Sequence, residues 1–287
     1  MVRRFTVIQG GRSEWPDRAA APDSEVAPHS ETWRVDLHRP GAVDAGAVSA
    51  WRALLVRHAV DDPLRDPDHL LPLAQHRPGG RPVAVALAWS QDRGTGRDTL
   101  RGVVPLAMPG SVLGGRTRRW QPGGTEAAGL VERAAAEAVD RALRARLGAL
   151  RRPICLVGEA APVSEPTLRR LPLAARRSAP PRSVPVGNLI GIRPEGWEAA
   201  ESEILAVTDP AAVRDAVETF LALDARTAAR PIIADPAEAS LVRVVTRLFA
   251  RRGALRVEIL RRAGAVVAGT LHLCAGSASV PWRRAEA

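Results

Sequence analysis

Residues 253–287 read GALRVEILRRAGAVVAGTLHLCAGSASVPWRRAEA, and this stretch decides the fold. Leu255, Val257 and Ile259 alternate with Arg256 and Glu258, the period of a strand with one face buried. Arg261-Arg262-Ala263-Gly264 supplies a tight turn. The return strand puts Ala265, Val267, Leu271 and Leu273 on one side. Val266, Ala268, Thr270, His272 and Cys274 fall on the other. Gly269 inside that strand predicts a bulge or a close backbone approach. A short loop then leads into a third strand around Trp282.

Two helices precede this ribbon, and both open in the same way. Asp235 caps, Pro236 takes the first helical position, and Glu238 is placed to reach back as a capping-box partner. Leu241, Val244, Val245, Leu248 and Phe249 line one face, and Gly253 ends the helix. Asp209 and Pro210 repeat the device, with Val213, Ala216, Val217, Phe220 and Leu221 as the apolar stripe. Strands are predicted at Ile204–Val207 and around Leu189–Ile192. The Arg-, Ser- and Pro-rich tract Ala174–Val186 marks a boundary.

The first half carries the same kinds of element. Ala47, Trp51, Leu54, Leu55 and His58 share one face of a short helix. Pro82–Trp89 (PVAVALAW) and Leu100–Met108 (LRGVVPLAM) read as strands, with Val83, Val85, Leu87 and Trp89 on one face of the first. A long helix is expected from an N-cap at Thr125 to a stop at Gly148, with Leu130, Val131, Ala134, Ala135, Ala138, Val139, Ala142 and Leu143 as its stripe. Ile154–Val157 is a short apolar strand, and Pro162–Leu171 is a brief helix. The expected organisation is a loose lead-in at 1–31, one unit at 32–180 and a second at 181–287.

Composition sets the outer limits. A chain of 287 residues with 46% hydrophobic content can build two cores of ordinary size. No apolar run approaches the ~20 residues of a membrane helix, and the N-terminus lacks the ~7–15 apolar residues of a secretory signal, so a cytoplasmic protein is expected. Cys155 and Cys274 provide neither a disulfide framework nor metal spacing, and no metal is expected. The 41 basic residues are all arginine and exceed the 31 acidic ones, giving a net charge of +10. That surplus suits an anionic partner such as CoA phosphates, RNA or an acidic surface, although solvated arginines and codon bias account for much of it. Aromatic residues are not interleaved with the arginine clusters, apart from Trp120, so a stacking nucleic-acid groove is not expected.

Three stretches carry a resemblance: DPAAVRDAVETFLALDAR (Asp209–Arg226), DPAEASLVRVVTRLFARRGALRVEILRRAGAVVAGTLHL (Asp235–Leu273) and VPWRRAEA (Val280–Ala287). Together with the helix bearing Trp51 and the strand ending Gly102-Val103-Val104-Pro105-Leu106, they resemble the FemAB-like branch of the GNAT acyltransferase superfamily. That branch includes bacterial proteins linked to cellulose and polysaccharide synthesis. The resemblance implies an α+β fold of two GNAT-like units, each a mixed sheet flanked by helices, the second one truncated. It implies an N-acyltransferase that moves an acyl group from acyl-CoA, acetyl-CoA first among them, to a small-molecule amine. A non-catalytic relative that binds an anionic partner is the alternative. A transferase fed by aminoacyl-tRNA is the third. The sequence departs from the family where Gly196-Trp197 runs straight into Glu198, Glu201 and Glu203 instead of a basic helix. It departs again at Arg226-Thr227-Ala228-Ala229-Arg230, where a Gly-Trp-Lys-Gly type element is usual.

Under this resemblance His272 is the candidate base and Cys274 shares its face, while Thr270, Leu271, Leu273 and Trp282 would line the acyl-carrier slot. The fold needs a backbone N–H at a bulged or splayed strand for the thioester oxygen, and an acid for the leaving thiolate. No tyrosine is present, so Ser277, Ser279, Cys274 or water would supply that proton. Gln91-Asp92-Arg93-Gly94-Thr95-Gly96 matches a pyrophosphate-loop signature literally. It joins two predicted strands instead of opening a helix, which makes it a hairpin loop.

Overall fold

The computed structural model describes residues 32–76, 79–110, 115–122, 128–158, 163–164 and 202–287. Its first sheet is built from β1 (Thr32–His38), β2 (Val83–Gln91), β3 (Asp98–Ala107), β4 (Gly115–Arg119), β5 (Leu130–Glu132), β6 (Ile154–Val157) and β7 (Val163–Ser164). Their order is β1-β2-β3-β4-β6, with β5 also on β3 and β7 on β5. The pairs β4·β6 and β5·β7 are parallel and the rest antiparallel, so the sheet is mixed.

Helices cover both faces of this sheet. Val83, Val85, Leu87, Leu100 and Val103 pack under α1 (Ala45–Arg57) and α2 (Pro67–His76), against Trp51, Leu54 and Leu70. Ala86, Ala88, Val104 and Leu106 meet α3 (Ala136–Gly148) through Val139, Leu143 and Leu147. Burial on both faces explains why PVAVALAW is apolar at almost every position.

The β2–β3 loop is the hairpin expected from sequence. The Asp92 carboxylate accepts the Gly94 N–H at 2.8 Å and the Thr95 hydroxyl at 3.1 Å, and the Gly96 N–H bonds the Asp92 carbonyl at 2.7 Å. The glycine-rich string therefore spends amides on its own closure. The long helix, by contrast, starts later than its pattern suggests. Leu130 and Val131 lie in β5, Arg133–Ala135 form a 3-10 turn, and α3 begins at Ala136. Leu130 faces α1 and Val131 faces α3, which is a two-residue period, and pairing with β3 overrides the helical propensity of the alanine-rich run. Thr125, the strand expected at Leu189–Ile192 and the boundary tract Ala174–Val186 lie outside the described residues. Of the helix expected at Pro162–Leu171, only 163 and 164 are described, and they form β7.

The second sheet comprises β8 (Ser202–Val207), β9 (Leu255–Arg262), β10 (Ala265–Ala275) and β11 (Ala278–Glu286), in the order β11-β10-β9-β8. All its described pairs are antiparallel, unlike the mixed sheet implied for each unit. The fold class is α+β, as expected. Helices α4 (Pro210–Thr227) and α5 (Pro236–Ala250) cover one face. Both predicted caps form: Asp209 accepts the Ala212 N–H, and Asp235 accepts those of Ala237 and Glu238. The Glu238 carboxylate pairs with Arg283 at 2.6 Å. Leu255, Val257, Ile259, Leu271 and Leu273 form the core with Phe220, Leu241, Val245 and Phe249.

The β9–β10 turn is two residues, Ala263 and Gly264, with φ of 50° and 76°. Two positive φ values give the hand of turn that matches strand twist. Arg261 and Arg262, expected in the turn, are ladder residues. A bulge between Val266 and Ala268 then shifts the phase, so Val266 packs against the core that Val267 was expected to face. Gly269 is a close approach: a Cβ there would stand 3.1 Å from Phe220 Cδ2 and 3.4 Å from Ile259 Cδ1.

The α2 helix joins the two cores. Leu73 packs against both, and Leu64 just before it packs against the second. At its N-terminus Arg252, which follows α5, binds Asp66 at 3.1 Å and Asp68 at 2.9 Å, while Arg52 of α1 binds Asp68 at 2.7 Å. The Asp66 and Asp68 side chains are only 9% and 12% exposed. Arg252→Met should therefore leave two buried carboxylates short of a donor and cost about 1–3 kcal/mol in urea unfolding. Arg243→Met, which breaks the half-exposed pair with Glu218, should cost under about 1 kcal/mol. Equal costs would show that burial does not govern this network. Among the described residues no helix is long and apolar enough to cross a membrane.

Candidate functional site

Strand alternation gives β10 two chemically distinct faces. Leu271 and Leu273 point into the core and are fully buried beneath α4 and α5. Thr270, His272 and Cys274 lie on the opposite face and are half-buried. The ladder sets their neighbours. Thr270 stands opposite Glu258 and Arg284, His272 opposite Arg256 and Pro281, and Cys274 opposite Ser279.

His272 Nε2 lies 3.1 Å from Glu258 Oε2, and Arg256 Nη2 lies 2.5 Å from the other carboxylate oxygen. An ionised carboxylate can only accept, so Nε2 carries the hydrogen and Nδ1 of the neutral ring is left as a proton acceptor. The His272 side chain is 18% exposed, enclosed enough to be held and open enough to be reached. Cys274 Sγ lies 3.6 Å from the Ser279 hydroxyl. An imidazole with a fixed tautomer thus shares its face with a thiol–hydroxyl pair, groups that can accept and donate protons.

The neighbouring ladder is irregular at this level. Leu271 pairs with Arg283 and His272 with Pro281, so Trp282 is an extra residue in β11. Pro281 has no N–H to give the ladder. The bulge also turns Trp282 and Arg283 to the helix side together. Trp282 packs against the second core and meets the His69 ring edge-on, with centroids 5.8 Å apart. Arg283 lies over the Trp282 ring at 4.5 Å and binds Glu238. The structure therefore brings Thr270, His272 and Cys274 together and places the side chains of Leu271, Leu273 and Trp282 on the other side of the sheet. Any part those three play in holding a ligand on the His272 face passes through their backbone.

His69, under Trp282, is 6% exposed and its Nδ1 lies 2.9 Å from the Leu64 carbonyl. Burial holds its imidazole below the usual histidine range, helped by the Arg283 cation and opposed by the Leu64 carbonyl, Asp62 and Asp66. The unfolded chain binds a proton near pH 6.5 that the folded chain refuses. Stability from this group is thus complete above about pH 6.5 and declines as pH falls below it. Thermal unfolding should show a lower Tm at pH 5.5 than at pH 7.5, with a smaller decline in His69→Gln. An unchanged slope in that variant would refute the assignment.

Glu258 is the residue that sequence reading placed in a strand without assigning it chemistry. Its signal is its phase, since it alternates with Val257 and Ile259 and so shares the outer face with Arg256. Residues 196–285 match the family model described as Acetyltransferase (GNAT) domain. Within that span, residues 202–285 are described and hold α4, α5 and nearly all of the second sheet. No curated protein and no solved structure matches the chain.

Proposed function

We propose that the chain is an N-acyltransferase, taking its acyl group from acyl-CoA and passing it to an amine through the outer face of β10. The observation that carries this reading is the His272–Glu258 pair, which lies inside the span matching a GNAT acetyltransferase domain. The amine nitrogen attacks the thioester carbonyl carbon, a C–N bond forms and the C–S bond breaks. His272 Nδ1 takes the amine proton, and Glu258 stabilises the imidazolium that results. The departing CoA thiolate receives a proton from Cys274, Ser279 or water. The irregular ladder at Trp282 offers the backbone freedom that an amide needs in order to face a developing oxyanion.

Binding tests the reading first. Acetyl-CoA at about 100 times its Kd should stabilise the folded chain by about 2.7 kcal/mol through mass action, visible as a rise in Tm. Release of free CoA should then depend on an added primary amine. Absence of any Tm shift with acetyl-, succinyl- and long-chain acyl-CoA would overturn the proposal and favour a non-catalytic binding module.

A further inference from the structure

We propose that the groove between β1 and α3 is a separate binding site for a straight-chain carboxylate, an anion carrying an aliphatic tail. Among the described residues β1 is an edge of the first sheet and pairs with β2 alone. α3 packs over the sheet through Val139, Leu143 and Leu147. Beside that contact face Ala138, Ala142 and Ala145 form a second line along the helix, at the spacing that stacks side chains one above another. A cavity of about 600 Å³ lies between this line and Trp33 and Val35 of the edge strand. That volume is in the range of small-molecule sites.

The base of the groove is apolar and closed. Val35 is 5% exposed, and Trp33 and Ala142 pack against the same core cluster. Higher up, Ala145 is exposed. A line of alanines alone would be an ordinary solvated helix flank, but this one is charged on both sides. By helical spacing Arg141 falls to one side of it and Arg146 to the other, and both line the cavity. Neither has an ion pair or a hydrogen bond among the described residues. Neighbouring arginines are committed instead: Arg34 binds Asp36 and Asp98, each at 3.3 Å, while Arg119 and Arg144 bind Asp140 at 3.0 and 2.6 Å. Arg34 and Asp36, the other charged groups of the lining, offset each other, so the groove keeps two uncompensated positive charges over an apolar floor.

These two properties define the ligand. A guanidinium matches a carboxylate with two parallel hydrogen bonds, and the floor takes an aliphatic chain, with each fully buried methylene strengthening binding by about fourfold. An anion without a tail would leave the floor wet, and a cationic amphiphile would meet the arginines. A protein partner fits less well, because ten residues line the groove and a protein interface takes about 20–30 a side. The inference does not rest on acyl transfer by the second unit.

The test is calorimetric titration of the full chain with acetate, octanoate and dodecanoate, each below its critical micelle concentration. Dodecyltrimethylammonium is the cationic arm and inorganic phosphate the tailless anion. Dodecanoate should bind saturably, octanoate more weakly, and the other three not measurably. Ala145→Trp fills the groove from an exposed position and should weaken dodecanoate by about tenfold or more with Tm unchanged. Arg141→Gln combined with Arg146→Gln should weaken it by about tenfold. No saturable binding of dodecanoate, or equal binding of dodecyltrimethylammonium, would overturn the proposal. Dodecanoate affinity unchanged in Ala145→Trp would put the chain elsewhere, the outer face of β10 included, and would overturn it equally. Saturating acetyl-CoA should leave dodecanoate affinity as it is, and failure of acetyl-CoA to bind has no bearing on the result, so the two proposals fail separately.

Discussion

His272→Ala is expected to lower kcat/KM for acyl transfer by about 10²–10⁴-fold, the range for loss of a positioned general base. The side chain lies on the outer face of a central strand and adds nothing to the core beneath α4 and α5. Its removal should therefore leave the Tm within a few degrees. Glu258→Gln keeps the shape of the side chain but withdraws the charge that holds the ring, and it should fall between wild type and His272→Ala. Cys274→Ala reports on the leaving-group proton alone, and water can substitute for that thiol, so its effect should be smaller. Steady-state rates with acetyl-CoA and an amine decide the matter. Activity within a few-fold of wild type in His272→Ala would remove the histidine from the reaction, whatever the fate of the other two.

Phe220→Ala should carry the largest stability cost, about 3–5 kcal/mol. Phe220 is fully buried on α4 and lies directly on the strand at Gly269, where a Cβ would stand 3.1 Å from its ring. Truncation leaves a cavity that rigid strands on one side and α5 on the other cannot close. Gly269→Ala should destabilise for the opposite reason, by crowding the same ring. The two substitutions share one volume, so the double variant should be more stable than the sum of the singles predicts. Additive losses in denaturant unfolding would mean that ring and glycine do not meet.

Local chemistry made several elements legible from the residues alone. Asp209-Pro210 and Asp235-Pro236 announce helix starts because a carboxylate can satisfy the first amides and proline lacks the N–H that would go unbonded there. Leu255, Val257 and Ile259 announce a strand because side chains alternate with a period of two. The glycine-rich loop after Gln91 reads as a hairpin, and the structure closes it on Asp92 as one. Where several periods fit the same letters, local reading failed. Leu130 and Val131 suit a helix in isolation, but each is claimed by a different face of one sheet.

The residues of β9 and β10 determined that a ribbon forms, which face is apolar, and that His272 and Cys274 share the other. They could not determine what stands beside His272. Counting back from the two-residue turn sets Glu258 opposite Gly269. The bulge at Val267 moves it opposite Thr270, the register in which its outer face and that of His272 coincide. The bulge in β11 likewise sends Trp282 to the helices. Each bulge brings a side chain, Val266 or Trp282, against the core that α4 and α5 cover, a contact between residues far apart in the chain. Alternation within β9 gives the face of Glu258 but not its register against β10, which is why the neighbours of His272 emerged only with the tertiary structure.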